Sequence, residues 1–568
     1  MRNTLLPLLA ATLVLSAPTS APAEDMKPLL VVSYAGFDQL VKDLDFLADL
    51  GGEADLGLLI DVLVSSIEGA SLEALDRTKP WGLVLGSDGQ AFQILGFLPI
   101  NDLPKFLAGL PNLGGGASDE GDGVHSIDLQ GIRLFFKQKG DWTYVSIATE
   151  FFQQLPDDPT KLLADLDTKH KLAGVLHIAN IPEAFRQVGV ETIRSMLSDL
   201  PKTEGESDAQ YELRKRLSAQ QLDSMATWID DAEVIRFGSS VDDDARKALV
   251  DVVMKPKGGS AMAGNLAKQA GLTSNFAGFM LPEASIAFSL NTILGERDKV
   301  QAKANYELLR EEAHKQLNAI AEVPGGEIKS AIDKLVDEFF DLGFVTIDGC
   351  RLDGGVAFLG PGPFTLVAGF EATNAAQLSQ FLDKVARLLE TEIGFAGLQR
   401  DVDKHEGVKF HSISVPLPGG PEGDQLVELF GHDLEVTFGF GERSAYLAVG
   451  KDGLAALKRA IDASKSTVDK PAPAMQLTAS LAAVEKVLGT SAPASPPVEA
   501  PAAGGGGNGN GAQQNGEAKV DSPAANDIVR VTAQPTAEAM SWHIELDEAP
   551  LGAILSQVMS LAPSLGGL

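Results

Sequence analysis

The chain has a single cysteine, Cys350, so no disulfide can form within it and stability must come from its packed cores. Histidine is also scarce, with eight in 568 residues, and no two stand at the H-x-x-H or H-E-x-x-H spacing that builds helical zinc sites. Basic residues are the minority, 46 Lys and Arg against 78 Asp and Glu. The formal charge of −32 repels nucleic acid and anionic lipid. Beyond the N-terminus no run approaches the ~18 apolar residues that a membrane helix requires, so no transmembrane segment is expected in the mature chain. Missing too are the Gly-x-Ser-x-Gly elbow and any glycine run ending in Gly-Lys-Ser/Thr. Gly114–Gly116 and Gly504–Gly507 lack that ending, so a nucleotide site is not supported.

What is present begins with a leader. Arg2 is the only charge before Glu24, Leu5 to Leu15 is apolar, and Ala21-Pro22-Ala23 forms a small-residue cleavage site. Residues 1–23 therefore read as a secretory signal removed near Ala23, which places the mature protein in the periplasm or outside the cell.

The rest of the chain is written twice. AFQILGFLPINDLPKFL (Ala91–Leu107) carries a strand through Gly96-Phe97 to Asn101 and into a helix, and FTLVAGFEATNAAQLSQFL (Phe364–Leu382) repeats it with Gly369-Phe370 and Asn374. His125-Ser126-Ile127 is answered by His411-Ser412-Ile413. Leu134, Phe136 and Tyr144 are answered by Val436, Phe438 and Tyr446 at one shared offset, and Val234-Ile235-Arg236 by Ile528-Val529-Arg530. The expected fold is α+β, a tandem duplication of a mainly antiparallel sheet domain with helices packed on it. The expected domains are 24–275 and 276–568.

Local signals place the elements. Ser87-Asp88-Gly89 predicts a tight hairpin joining Trp81–Gly86 to the strand that follows, because Asp-Gly supplies positive φ. Val124–Leu129, Ile132–Gln138 and Thr143–Thr149 read as a meander. Helices are expected at Leu56–Ile67, Phe151–Leu166, Pro182–Leu197 and Asp208–Ile229, and a final hairpin at Ile528–Leu546 in the second sheet. Residues 491–525, Pro/Ala-rich and then GGGGNGNGAQQNG, predict a disordered loop inside the second domain.

The strand-to-helix units ending in patterns such as Phe97-Leu98-Pro99-Ile100, repeated behind a signal peptide, resemble exported bacterial proteins of uncharacterised families. That resemblance implies no active site.

Candidate chemistry is thin. The repeated His125 and His411 each sit beside Ser on an alternating strand, which suits a structural slot better than a metal or catalytic one. Asp119-Glu120-Asp122 and Asp242-Asp243-Asp244 crowd oxygen ligands but fit no calcium-loop pattern, so turn acids are the plainer reading. Cys350 reads as a small buried apolar residue near the start of a strand. Adjacent Phe135 and Phe136 must point to opposite faces, so that sheet is covered on both sides or meets a ligand. No catalytic, cofactor-binding or metal residue is selected and no cofactor is implied. The function expected is a non-enzymatic one, binding a protein partner or serving a structural role in the cell envelope or outside the cell. The rivals are a carrier of an apolar ligand such as a lipid, and a hydrolase.

Overall fold

A computed structural model of the chain describes residues 27–51, 73–198 (without 90–91, 110–116, 130–131 and 154), scattered positions between 202 and 222, and 226–319. It continues through 326–488 (without 361, 393–396, 416, 418–420 and 432–433) and 526–565. The leader 1–23, the helix expected at Leu56–Ile67, both glycine runs, most of the helix expected at Asp208–Ile229 and the loop 491–525 lie outside the described residues.

The first half runs β1 (Lys27–Tyr34), α1 (Phe37–Gly51), β2 (Trp81–Ser87), β3 (Phe92–Leu98), α2 (Leu103–Ala108), β4 (Ser118–Gly121) and β5 (Val124–Leu129). It continues through β6 (Ile132–Lys139), β7 (Trp142–Ser146), β8 (Leu172–Leu176), α3 (Glu183–Ser198), β9 (Ala232–Asp242), β10 (Lys247–Pro256) and α4 (Ala261–Gln269). The second half has β11 (Ala284–Ile293), α5 (Glu296–Ala319), α6 (Gly326–Asp348), β12 (Arg351–Leu359), β13 (Thr365–Glu371), α7 (Ala375–Glu392), β14 (Leu398–His405) and β15 (Val408–Val415). After these come α8 (Pro421–Phe430), β16 (Leu434–Phe440), β17 (Ser444–Val449), α9 (Gly453–Lys465), β18 (Met475–Ser480), α10 (Leu481–Leu488), β19 (Ile528–Pro535), β20 (Met540–Asp547) and α11 (Glu548–Leu565). The fold is α+β with antiparallel pairing throughout these registers, as the short turns at Ser87–Gly89 and Lys139–Asp141 require.

Strand order is the same in both halves. Pairing runs β4-β5-β6-β7-β3-β2-β1-β8-β9-β10 in the first and β14-β15-β16-β17-β13-β12-β11-β18 in the second. Registers match as well: His125 opposes Phe136 where His411 opposes Phe438, and Ile127 opposes Leu134 where Ile413 opposes Val436.

One alignment shifts by a residue. Phe97 opposes Gly82 and Tyr144, but in the second half it is Gly369, not Phe370, that opposes Gly355 and Tyr446. A one-residue step turns a strand's side chains over: Phe97 is fully buried, whereas Phe370 is 41% exposed. The space that Phe97 fills is taken in the second half by Phe279, delivered from a short 3-10 turn (Ala277–Phe279) and stacked on Tyr446 at 6.3 Å. Gly369 and Gly355 make this room, since a Cβ on either would come within 2.6 Å of Phe279.

The chain divides into two compact units, residues up to Gly271 together with Thr532–Leu568, and Leu272–Val531. The C-terminal segment Thr532–Leu568 thus belongs to the first unit, whereas the sequence reading places the final hairpin in the second sheet. β20 pairs with β10 from Lys247↔Asp547 to Met254↔Met540, so the second strand of the C-terminal hairpin extends the first unit's ladder. The helix expected at Phe151–Leu166 is instead three 3-10 turns, because Pro156 and Pro159 interrupt the i→i−4 bonding. In the same place after β17 the proline-free Gly453–Lys465 forms the full helix α9.

Candidate functional site

The strands of each unit have one closed face. In the first unit, Val31, Val84, Leu95, Phe97, Trp142 and Tyr144 are buried beneath Phe152, Leu155 and Leu163 of the 3-10 segment. In the second, Ala287, Ala357, Val367 and Tyr446 are buried beneath Phe276, Phe279 and the Leu457-Ile461 side of α9.

The opposite faces are equally apolar and less covered. In the first unit Val32, Leu83 and Gly96 line up across β1, β2 and β3, as do Leu30, Leu85 and Ile94, and the rows continue to Phe237 and Ile235 on β9. Among the described residues, helices cover the margins of this face. α2 seals Leu98, Leu134, Phe136 and Val145, α1 and α11 seal Val241, Ala248 and Leu546, and Met262 of α4 packs on Ile235 and Met254. Phe185 of α3 meets Phe92 edge-on at 4.6 Å. The central residues Val32, Leu83, Leu85 and Ile94 remain half-buried. On α3 itself Phe185 is 41% and Val188 63% exposed, and Ala184, Gln187, Val188, Glu191 and Thr192 line an open depression along one helix stripe.

The second unit repeats the arrangement. Phe288, Val356, Ala368 and Leu447 form one cross-strand row and Ile286, Phe358, Leu366 and Val449 the next, all half-buried. Beside them Phe370 is exposed, and Phe339 of α6 touches Phe381 of α7 while remaining 49% exposed. Strands that read as continuous apolar runs belong between two layers, so a half-covered second face is surface suited to another molecule.

The polar groups nearby are locked rather than poised. Asp43 is buried and accepts hydrogen bonds from the Tyr34 hydroxyl (2.6 Å), Gln39 Nε2 (2.8 Å) and Lys171 Nζ (2.8 Å), which fastens α1 to the sheet. Burial and the neighbouring carboxylate push Tyr34 far above the ordinary phenol range, so it stays a donor and is no base. In the second unit Asp353 accepts from Ser274 Oγ and the Asn275 N–H, with Arg351 at 3.2 Å; burial raises its pKa. Among the described residues no serine or cysteine is hydrogen-bonded to an imidazole.

Comparison of the chain with protein-family models, with curated proteins and with solved structures finds no match. No helix among the described residues is long and apolar enough to cross a membrane.

The structure does not bring the candidates from the sequence together. His125 and His411 occupy equivalent strand positions, and His411 accepts from the Asp401 N–H and lies 6.1 Å from the Phe440 ring. Glu120 accepts from Ser126 Oγ across the β4–β5 pair, Asp119 from the Gly121 N–H and Asp242 from the Ala245 N–H within their turns, while Asp243 pairs with Lys42 of α1. Cys350, expected to be buried, is instead partly exposed, because it sits at positive φ in the turn between α6 and β12 rather than within the strand. Phe136 packs under α2 and Phe135 against the opposite core, so both faces are covered at that point. The half-open centres of the faces had no local signal beyond apolar strands without alternation.

On the second unit's paired helices an imidazole is held toward its protonated form by two carboxylates. On α5, Arg310 and His314 meet Asp337 and Asp333 of α6, with His314 at 3.0 and 3.2 Å from the two carboxylates, which raise its pKa above 6.5. A raised folded-state pKa means that its stabilisation is fully present below the unfolded value and is lost as pH rises through the folded one. Thermal melts across about pH 5 to 8 should show the second unit weakening with rising pH, and His314→Gln should remove that slope. An equal slope in both proteins would refute the assignment.

Proposed function

We propose that the chain is an exported, non-enzymatic binding protein of the cell envelope or extracellular space, built by internal duplication, that engages an apolar segment of a protein partner. The single observation that carries the reading is the half-covered apolar face, present in each unit at equivalent strands and flanked by exposed Phe185 and Val188 in one and Phe339 and Phe370 in the other. Burying such a surface contributes roughly 25 cal/mol per Å² of apolar area, which favours a standing complex. The leader supports export, and the matching strand order supports duplication.

The second reading, a carrier of an apolar ligand such as a lipid, is favoured by the way helices ring the open centre of the first unit's face. Native mass spectrometry of protein purified from its own host distinguishes the two. A co-purifying polypeptide supports the partner reading, and a mass increment of lipid size supports the carrier. Bare protein, with no fluorescence enhancement from an added apolar dye, would refute both.

A further inference from the structure

We propose that His405, Glu406 and Asp462 form a surface site for a divalent transition-metal ion of the zinc type. One ligand atom from each, an imidazole nitrogen and two carboxylate oxygens, lies within 4.8 Å of the others. A mixed nitrogen and oxygen set of this kind suits Zn²⁺ or Mn²⁺; Mg²⁺ prefers oxygen alone in a near-ideal octahedron.

The ligands come from two elements that the core holds rigid. His405 and Glu406 sit at the tight turn between β14 and β15, where Glu406 and Gly407 both have positive φ and His405 opposes Val408. Val408 and Phe410 of that hairpin are buried in the same cluster as Leu457 and Ile461 of α9. Asp462 follows Ile461 directly, so the packing that fixes the hairpin on α9 also brings His405 Nε2 to 2.7 Å from Asp462 Oδ1. Pre-positioning of this sort removes ordering cost from ion binding.

Lys465, one turn further along α9, pairs with Glu406, and Lys458 pairs with Asp403 of the same hairpin. The Lys465 ammonium is half exposed and already supplies positive charge to the cluster. A divalent ion bound by the three ligands competes with it, and the side chain has solvent to swing into.

The test is calorimetric titration of the metal-stripped mature chain with ZnCl₂, run beside MgCl₂. One zinc site is expected, weakened at least about tenfold in His405→Ala and in Asp462→Asn, as loss of a ligand should exceed the effect of losing an outer partner. Lys465→Gln should instead tighten it roughly thirtyfold at low salt, the effect of removing a unit charge ~4 Å from a divalent ion in water-like dielectric. All three side chains are at least partly exposed, so circular dichroism should confirm unchanged folding. Identical zinc isotherms for the wild type and His405→Ala would mean that the ion merely spreads over the acidic surface, and would overturn the proposal. Weaker binding in Lys465→Gln would overturn it equally.

Discussion

Phe279→Ala should destabilise the second unit by about 3–5 kcal/mol, the range for deleting a buried phenylalanine ring. Its ring is fully buried, stacks on Tyr446 at 6.3 Å and contacts Phe276 at 6.2 Å. The diagnostic result is its coupling to Gly369. In the wild type Gly369→Ala places a methyl 2.6 Å from the Phe279 ring and 2.8 Å from Tyr446, and must force one of them aside. With Phe279 already truncated, the first clash is gone and the added methyl enters the cavity. The cost of Gly369→Ala should then shrink by at least ~1 kcal/mol, as for residues sharing one space. All four tryptophans, Trp81, Trp142, Trp228 and Trp542, lie in the first unit. Circular dichroism therefore follows both units while tryptophan emission follows the first alone, and the loss should appear in the former. Additive effects of the two substitutions would contradict the assignment of Phe279 to the space that Phe97 fills in the first unit.

This aromatic exchange marks where sequence reasoning stops. Gly96-Phe97 and Gly369-Phe370 align by identity, and the strands are indeed equivalent. Identity does not report which face a side chain takes, and the matching registers require the one-residue step described above. The hairpins were legible because Asp88-Gly89 and Lys139-Gly140-Asp141 encode their turns locally. The partner of β20 was not legible, since alternation along MSWHIELD specifies a buried face without naming the strand beside it. The cluster of His405, Glu406 and Asp462 was hidden for the same reason: the first two are adjacent, but the third arrives only when α9 packs on the hairpin. Half-coverage of a sheet face is likewise a property of the assembled layers. In sequence, LLVVSY and SIAFSL look the same whether one side is filled or open.

Removal of Thr532–Leu568 should unfold the first unit, although that segment is the farthest in sequence from its other strands. β10 pairs on one side with β9 and on the other with β20, so truncation leaves a long apolar strand as an open edge. The same cut removes Leu551, which closes a cluster with Phe46 and Ala248, and Trp542 and Met540, which pack on Ile235 and Met254. It also strips Arg246 of Glu548, its bidentate partner at 2.6 and 2.7 Å. Each large apolar residue lost from such a site costs about 2–5 kcal/mol, and the several lost together approach the whole ~5–15 kcal/mol stability of a domain. The truncated chain should show red-shifted tryptophan emission and no cooperative melt in that signal. Leu551→Ala, which leaves the ladder intact, should cost about 2–4 kcal/mol and keep the transition cooperative. Because binding to the folded state alone stabilises by mass action, a peptide spanning Thr532–Leu568 added to the truncated chain should restore the emission and the melt together. Unchanged emission and melting after truncation would mean that β20 and α11 are an ornament on a unit that stands without them.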